Sequence, residues 1–373
     1  MSVDRKLDKG APYRLLALDG GGIRGLITLE MLAAMERELA DAHGRDASFV
    51  LADYFDYIAG TSTGAIIATC LSLGWRVDRI RQFYLDAGAE MFDKANLLER
   101  FRYKFTDTKL AAMLHDVLGA STTLGDARLR TLLLVVLRNA TTDSPWPLTN
   151  NPRAKYNNRA RPDCNLDLPL WQVVRASTAA PTFFPPETIE IGPRRFVFVD
   201  GGVTMYNNPA FQLFLMATVA PYQLGWPTGD DRMLLVSVGT GTSPDANENL
   251  APHEMNLLYN ASSIPSALML AASTEQDVLC RVFGRLRYGS TIDREVGDLS
   301  TGDAPTHPKL FSYIRYNVEL TKPGLTTLGL ADIEPGHVQQ MDSVGHLDDL
   351  RRVGEAAARA QVRVDHFRGF IGG

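Results

Sequence analysis

Three short apolar runs in this chain each stop at glycine. Tyr13–Asp19 (YRLLALD) runs into Gly20–Gly22, a strand near Phe55–Ala59 into Gly60, and Phe196–Asp200 (FVFVD) into Gly201–Gly202. Short, nearly unbroken apolar runs read as buried strands, and glycine lets the backbone turn where a side chain would clash. Helical patterns follow. After the first run Leu29, Leu32, Met35 and Leu39 recur on one face, with Glu30 and Arg37 expected on an opposite, solvent-facing side. Strand–turn–helix units in series imply an α/β fold, with a mostly parallel central sheet flanked by helices.

Further along, helical patterns occupy 77–91 and 108–118, and Thr131–Asn139 is the most continuous strand signal. Residues 141–168, polar and rich in Pro and Asn, read as one long ordered loop. A helix over Leu170–Ala180 stops at Pro181, and Asn208 caps another that begins at Pro209. Met233–Val238 is a buried strand, helices follow at 263–284 and 346–368, and a strand lies near 312–320. With no internal repeat, the pattern gives one α/β domain over residues 1–320. A mainly helical extension, 321–373, is expected to pack on the same domain.

Composition removes whole classes of function. With 45% hydrophobic and 22% charged residues, the 373-residue chain is neither disordered nor a coiled coil. Lys and Arg total 38 against 43 acids, a net charge of −5, so no global basic field gathers a DNA or RNA duplex. Cys70, Cys164 and Cys280 are widely separated, which argues against a disulfide framework or zinc module and fits a reducing cytosol. The N-terminal stretch lacks the apolar core of a secretion signal, and the longest aliphatic run, Leu132–Leu137, falls far below the ~18 residues of a spanning helix. A cytoplasmic protein is expected.

The chemistry centres on Gly60-Thr61-Ser62-Thr63-Gly64, a GxSxG pattern between a strand and a helix. A sharp turn there holds a serine hydroxyl exposed, and the helix behind it turns its positive end toward developing negative charge. Gly20, Gly22 and Gly25 match GxGxxG, which allows a dinucleotide-binding oxidoreductase. That reading needs an acid ending the second strand, and Ala59-Gly60 stands there instead. The alternative is that Gly20, Gly21 and Gly22 present N–H groups as an oxyanion hole beside Ser62. No histidine follows a convincing strand end, and His253-Glu254 does not complete HExxH because position 257 is Leu257. Asp200, closing an apolar strand before two glycines, is the better candidate base. Cys70, on the helix after the elbow, reads as core.

DGGGIRG at 19–25, GTSTG at 60–64 and DGG at 200–202 resemble the three signature motifs of the patatin-like phospholipase family, in the family's order and spacing. ASTAAP at 176–181, Asn207-Asn208-Pro209 and Gly239-Thr240-Gly241 resemble segments around the family's active site. The resemblance implies a three-layer patatin-like fold, with residues 1–320 as the catalytic domain. It implies a lipid acyl hydrolase with a Ser62/Asp200 dyad, the Gly20–Gly22 oxyanion hole and Arg24 fixing the glycine loop. Neither metal nor cofactor is required. Phe183, Phe184, Pro185 and Pro186 are candidates to line an acyl-chain pocket.

A narrower resemblance covers NPRAKYN at 151–157 and LPLWQVVRASTAAPTFFPPE at 168–187. These are similar to cytosolic bacterial phospholipases of anti-phage (CBASS) defence, which a cyclic di- or oligonucleotide switches on to degrade the inner face of the cell membrane. It implies the same activator here, self-association on activation, and contacts from Arg153, Lys155, Arg159 and Arg161 to the ligand's phosphates or to lipid headgroups. An ungated patatin-like esterase of general lipid metabolism is the alternative.

Overall fold

The computed structural model describes residues 3–45, 48–91, 107–181, 183–244, 257–293, 295–300 and 308–372. Its strands are β1 (Tyr13–Leu18), β2 (Tyr57–Thr61), β3 (Leu132–Asn139), β4 (Ser144–Thr149), β5 (Glu187–Ile191), β6 (Arg194–Asp200), β7 (Met233–Val238), β8 (Arg285–Tyr288) and β9 (Ser312–Tyr316). All join one sheet in the order β5-β6-β3-β2-β1-β7-β9-β8, with β4 paired to β3 off that path. The pairs from β3 through β2, β1, β7 and β9 to β8 are parallel, and those made by β4, β5 and β6 are antiparallel.

Alternation along the central strands supplies two buried faces. Leu16, Leu18, Ile58, Leu133, Val135 and Val236 pack beneath the Gly25–Ala42, Thr63–Ser72 and Leu170–Ser177 helices. Tyr13, Leu15, Ala17, Leu134 and Leu235 face the Ala210–Thr218 helix on the other side. Helix, sheet and helix make the three layers expected of the fold.

Two expectations change. The stretch 141–168 is not one loop, because Ser144–Thr149 turns back along β3 as a strand despite Pro145 and Pro147. Both prolines sit on an edge strand, where a missing N–H leaves no partner unsatisfied. Glu30 is buried rather than solvent-facing, and Arg81 Nη1 donates to its Oε2 at 3.1 Å. What covers it is the Leu347–Gln361 helix: a Cβ on Gly354 would stand 2.8 Å from that of Glu30. Arg37 does face solvent.

Leu350, Val353 and Ala357 of this helix join the same core cluster as the sheet, and Arg14 of β1 donates to the Phe370 carbonyl at 2.9 Å. Leu350→Ala should therefore cost about 2–5 kcal/mol in urea unfolding, as for any fully buried leucine. A change below about 0.5 kcal/mol would mean that the helix is not part of the cooperative core.

Candidate active site

Register on β3 builds the site. Thr61 of β2 pairs with Val136, and Asp200 of β6 pairs with the next residue, Leu137. Val136 and Leu137 both also pair with β4, so β2 and β6 lie on the same, opposite side of β3. They run toward one another and meet end to end. Ser62, the residue after β2, and Asp200, the last of β6, are thereby brought together. Ser62 Oγ donates to Asp200 Oδ2 at 2.6 Å, with the two residues 8% and 3% exposed.

The elbow holding Ser62 is strained. Its φ of 55° and ψ of −124° are rarely adopted by a residue with a side chain. The turn closes only because its corners are bare: a Cβ on Gly60 would lie 2.0 Å from the Gly64 carbonyl oxygen, and one on Gly64 2.3 Å from that of Leu18. Ser62 N–H donates to Ser177 Oγ at 3.0 Å, and that hydroxyl donates to the Val136 carbonyl at 2.6 Å. Ser177 thus completes the ladder at the gap between β2 and β6. The sequence marked it only as part of a flanking segment, since a lone serine near a helix end carries no distinguishing signal.

Asp200 Oδ1 accepts the Gly202 N–H at 2.6 Å. Burial pushes the Asp200 carboxyl up to about 7, against the lowering effects of the Ser62 and Gly202 hydrogen bonds and the Arg175 charge. Arg175 is fully buried and packs its guanidinium over the Phe184 ring.

The glycine loop divides by role. Gly20 N–H donates to the Asn207 carbonyl at 3.0 Å, so it leaves the expected oxyanion set. Gly21 and Gly22 line the pocket beside Ser62, and their N–H groups meet no protein acceptor among the described residues. Neither position admits a side chain. A Cβ on Gly21 would stand 2.1 Å from Thr240 Oγ1, and one on Gly22, at φ +61°, 2.2 Å from the Met341 carbonyl. The Met341 carbonyl accepts the Ile23 N–H at 2.9 Å, so one donor that a pyrophosphate would use after the glycine turn is already taken, which counts against the dinucleotide reading. Arg24 donates to the Gly21 carbonyl at 3.4 Å and to that of Gln339 at 3.2 Å, tying the loop to the segment that carries Met341.

The pocket over Ser62 is mostly apolar, lined by Ile66, Leu110, Phe183, Phe184, Val203 and Met269, with Tyr84 at its wall. Pro185 and Pro186 do not line it. The basic residues of 153–161 are not brought here. Arg153 pairs with Asp8, which precedes β1, so it sits at the end of the sheet opposite Ser62. Arg159 pairs with Asp167 and Arg161 with Asp163, while Lys155 lies over the Tyr156 ring. Local acids neutralise most of the cluster. Cys70 is buried in the core.

Of the histidines, His253 and His307 lie outside the described residues. His337, His346 and Asp349 bring metal-type donors together, but the two rings stack 3.6 Å apart and nearly parallel. Lone pairs in parallel planes do not converge on one ion at a ~2 Å bond length.

The fold and this pair define the class: an α/β protein with a buried serine–aspartate contact at a glycine-cornered elbow. A sequence profile for patatin-like phospholipase matches residues 16–214. The chain is 32% identical to patatin-like protein 1 of Arabidopsis thaliana over 341 residues, covering 81% of this chain and 79% of that protein. It is 31% identical to the cGAMP-activated phospholipase of Escherichia coli (strain TW11681) over 205 residues, 53% of this chain and 54% of that one. Among solved structures, human GIVD cytosolic phospholipase A2 is similar at a TM-score of 0.48 and 12% identity, covering 99% of this chain and 62% of that chain. The chain belongs to the patatin-like phospholipase family, whose members are hydrolases. Among the described residues no helix is long and apolar enough to cross a membrane.

A raised carboxyl pKa has a signed consequence for stability. The folded state holds a proton on Asp200 up to about pH 7, whereas the unfolded chain releases it near the ordinary 3.8. The group's contribution is therefore fully present below the unfolded value and lost as pH rises through 7. Asp200→Asn should melt higher than wild type at pH 8 and no higher at pH 4, by calorimetry. Equal differences at both pH values would place the Asp200 carboxyl in its ordinary range. Ser177→Ala, which strands the buried Ser62 N–H, should cost about 1–3 kcal/mol, and a neutral result in urea unfolding would remove its bridging role.

Proposed function

We propose that this protein is a lipid acyl hydrolase of the phospholipase A type, working through Ser62 and Asp200. The observation that carries the reading is the 2.6 Å hydrogen bond from Ser62 Oγ to Asp200 Oδ2 at the floor of an apolar pocket. Asp200 takes the Ser62 proton as Oγ attacks the ester carbonyl. The carbonyl oxygen becomes an oxyanion, held by the Gly21 and Gly22 N–H groups and by the positive end of the Thr63–Ser72 helix. Collapse of this intermediate expels the lysophospholipid alkoxide, which takes the proton from Asp200. A water deprotonated by the same carboxylate then attacks the acyl–Ser62 ester, releasing the fatty acid and restoring the serine. A histidine is unnecessary because a carboxyl poised near 7 is itself a competent base at neutral pH. Phe183, Phe184 and Ile66 offer the acyl chain an apolar wall.

The proposal extends to control by a cyclic di- or oligonucleotide. Its support is the Escherichia coli relative, which is named as cGAMP-activated and matches 53% of this chain. At the 153–161 cluster, phosphates would have to compete with Asp8, Asp163 and Asp167 for the arginines. Self-association on activation belongs to the same proposal, as does action from the cytoplasm on the inner face of the membrane.

Fatty-acid release from phospholipid vesicles, read by mass spectrometry, tests the reaction. Ser62→Ala and Asp200→Asn should each lower kcat by at least about 10⁴-fold while retaining cooperative unfolding. Wild-type kcat should rise tenfold per pH unit below about 7 and level off above it, since the base must be ionised. Undiminished release by either variant would overturn the dyad. Adding a panel of cyclic nucleotides should raise release and the particle size in light scattering; equal rates with and without them would leave an ungated lipid esterase.

A further inference from the structure

We infer that Arg315 is a positioning residue for the glycine loop: from two strands away it clamps Asp19, and so sets where the Gly21 and Gly22 N–H groups point over Ser62. The inference rests on the reading of Ser62 as the acylated nucleophile.

Ala17 of β1, Ser237 of β7 and Arg315 of β9 stand directly opposite one another across three neighbouring parallel strands. In-line residues share a face, and Asp19, two positions beyond Ala17, continues the same line as β1 ends. Arg315 therefore reaches diagonally over β7 to the first residue of the loop. Its Nη1 donates to Asp19 Oδ1 at 2.9 Å and to Ser237 Oγ at 2.6 Å, and its Nη2 donates to Asp19 Oδ2 at 2.6 Å. All three residues are buried. Gly239 lies beside this route: a Cβ there would come 2.3 Å from Asn317 Oδ1 and 3.1 Å from Arg315 Nη2.

A two-pronged ion pair out of water is directional, since both guanidinium N–H groups must meet both carboxylate oxygens in one plane. It orients the Asp19 side chain, and through it the peptide leading into Gly20. The loop is also pinned by neutral contacts, from Asp19 N–H to the Val238 carbonyl at 3.1 Å and from Thr240 Oγ1 to the Gly20 carbonyl at 3.0 Å. Those contacts hold the loop in place, while the charged fork fixes its rotation. Burial alone would push Asp19 toward its neutral form, and Arg315 is the largest opposing influence. A merely structural pair would alter stability and leave the acylation step alone. A positioning pair alters acylation in protein that is still folded.

Phosphonylation of Ser62 by a fluorophosphonate probe, in which Oγ bonds to phosphorus and fluoride leaves, is followed by intact-protein mass and reads the oxyanion loop without depending on any lipid. Arg315→Lys keeps the charge and loses the fork. Its labelling rate should fall about 10-fold or more, with kcat on phospholipid vesicles falling alongside and KM unchanged. The paired change Asp19→Asn with Arg315→Met removes both charges and guards against the misfolding a lone buried carboxylate would cause. It should unfold cooperatively near the wild-type midpoint and still label about 100-fold more slowly, the scale of losing one oxyanion donor. Folded variants labelling at the wild-type rate would overturn the inference alone. A wild type that never labels at Ser62 would overturn the reading of Ser62, and this inference with it.

Discussion

Everything at the site depends on one side of β3. Because Thr61 and Asp200 pair with consecutive residues there, Val136 and Leu137, two strands from distant parts of the chain run head-on and stop. The last residue of one and the first beyond the other are left facing across the gap. Backbone hydrogen bonding sets this separation to within a fraction of an ångström, as side-chain packing alone does not. A slip of one residue in the β3–β6 ladder would turn Asp200 to the other face of the sheet.

Closure of that gap explains why so much of the neighbourhood is glycine or a short polar side chain. The backbone at Gly60, Gly64 and Gly201 approaches other backbone so closely that a methyl group would overlap a carbonyl, at 2.2 Å for Gly201 against Val136. Ser177 supplies the acceptor that the interrupted ladder lacks at Ser62. A strained serine and a buried carboxyl with a raised pKa are both unfavourable locally, and each persists because rigid strands on either side hold it. The same burial that destabilises ionised Asp200 raises its carboxyl to about 7, as the base role proposed for it requires at neutral pH.

Much of the site was legible in order of appearance along the chain. Strand runs ending in glycine predicted β1 and β6 with the turns after them, and placed β2, which continues through Gly60 to Thr61 before it turns at Ser62, the residue the GxSxG pattern singled out. The resemblance of DGGGIRG, GTSTG and DGG to family motifs joined Ser62 to Asp200 and named the glycine loop. What it could not express was hydrogen-bond ownership: Gly20 looks like Gly21 and Gly22 until Asn207 is seen to take its N–H. Likewise the basic residues at 153–161 form a cluster on paper. In three dimensions Asp8, Asp163 and Asp167 pair with the three arginines, and the β4 hairpin carries Arg153 to the end of the sheet away from Ser62.

Local patterns thus marked β1, β2, β3, β6, β7 and β9 and the residue types that stand at the turns, because hydrophobic period and backbone freedom are properties of neighbours in sequence, whereas β4, β5 and β8 carry no such signal. Only the tertiary structure decided that Glu30 is buried, that Ser177 bridges Ser62 to β3, and that Arg315 reaches Asp19 across 296 positions of chain. Each of those depends on which strands and helices lie side by side. Contacts between distant segments are set by the packing of the whole sheet, and no window of the sequence contains them.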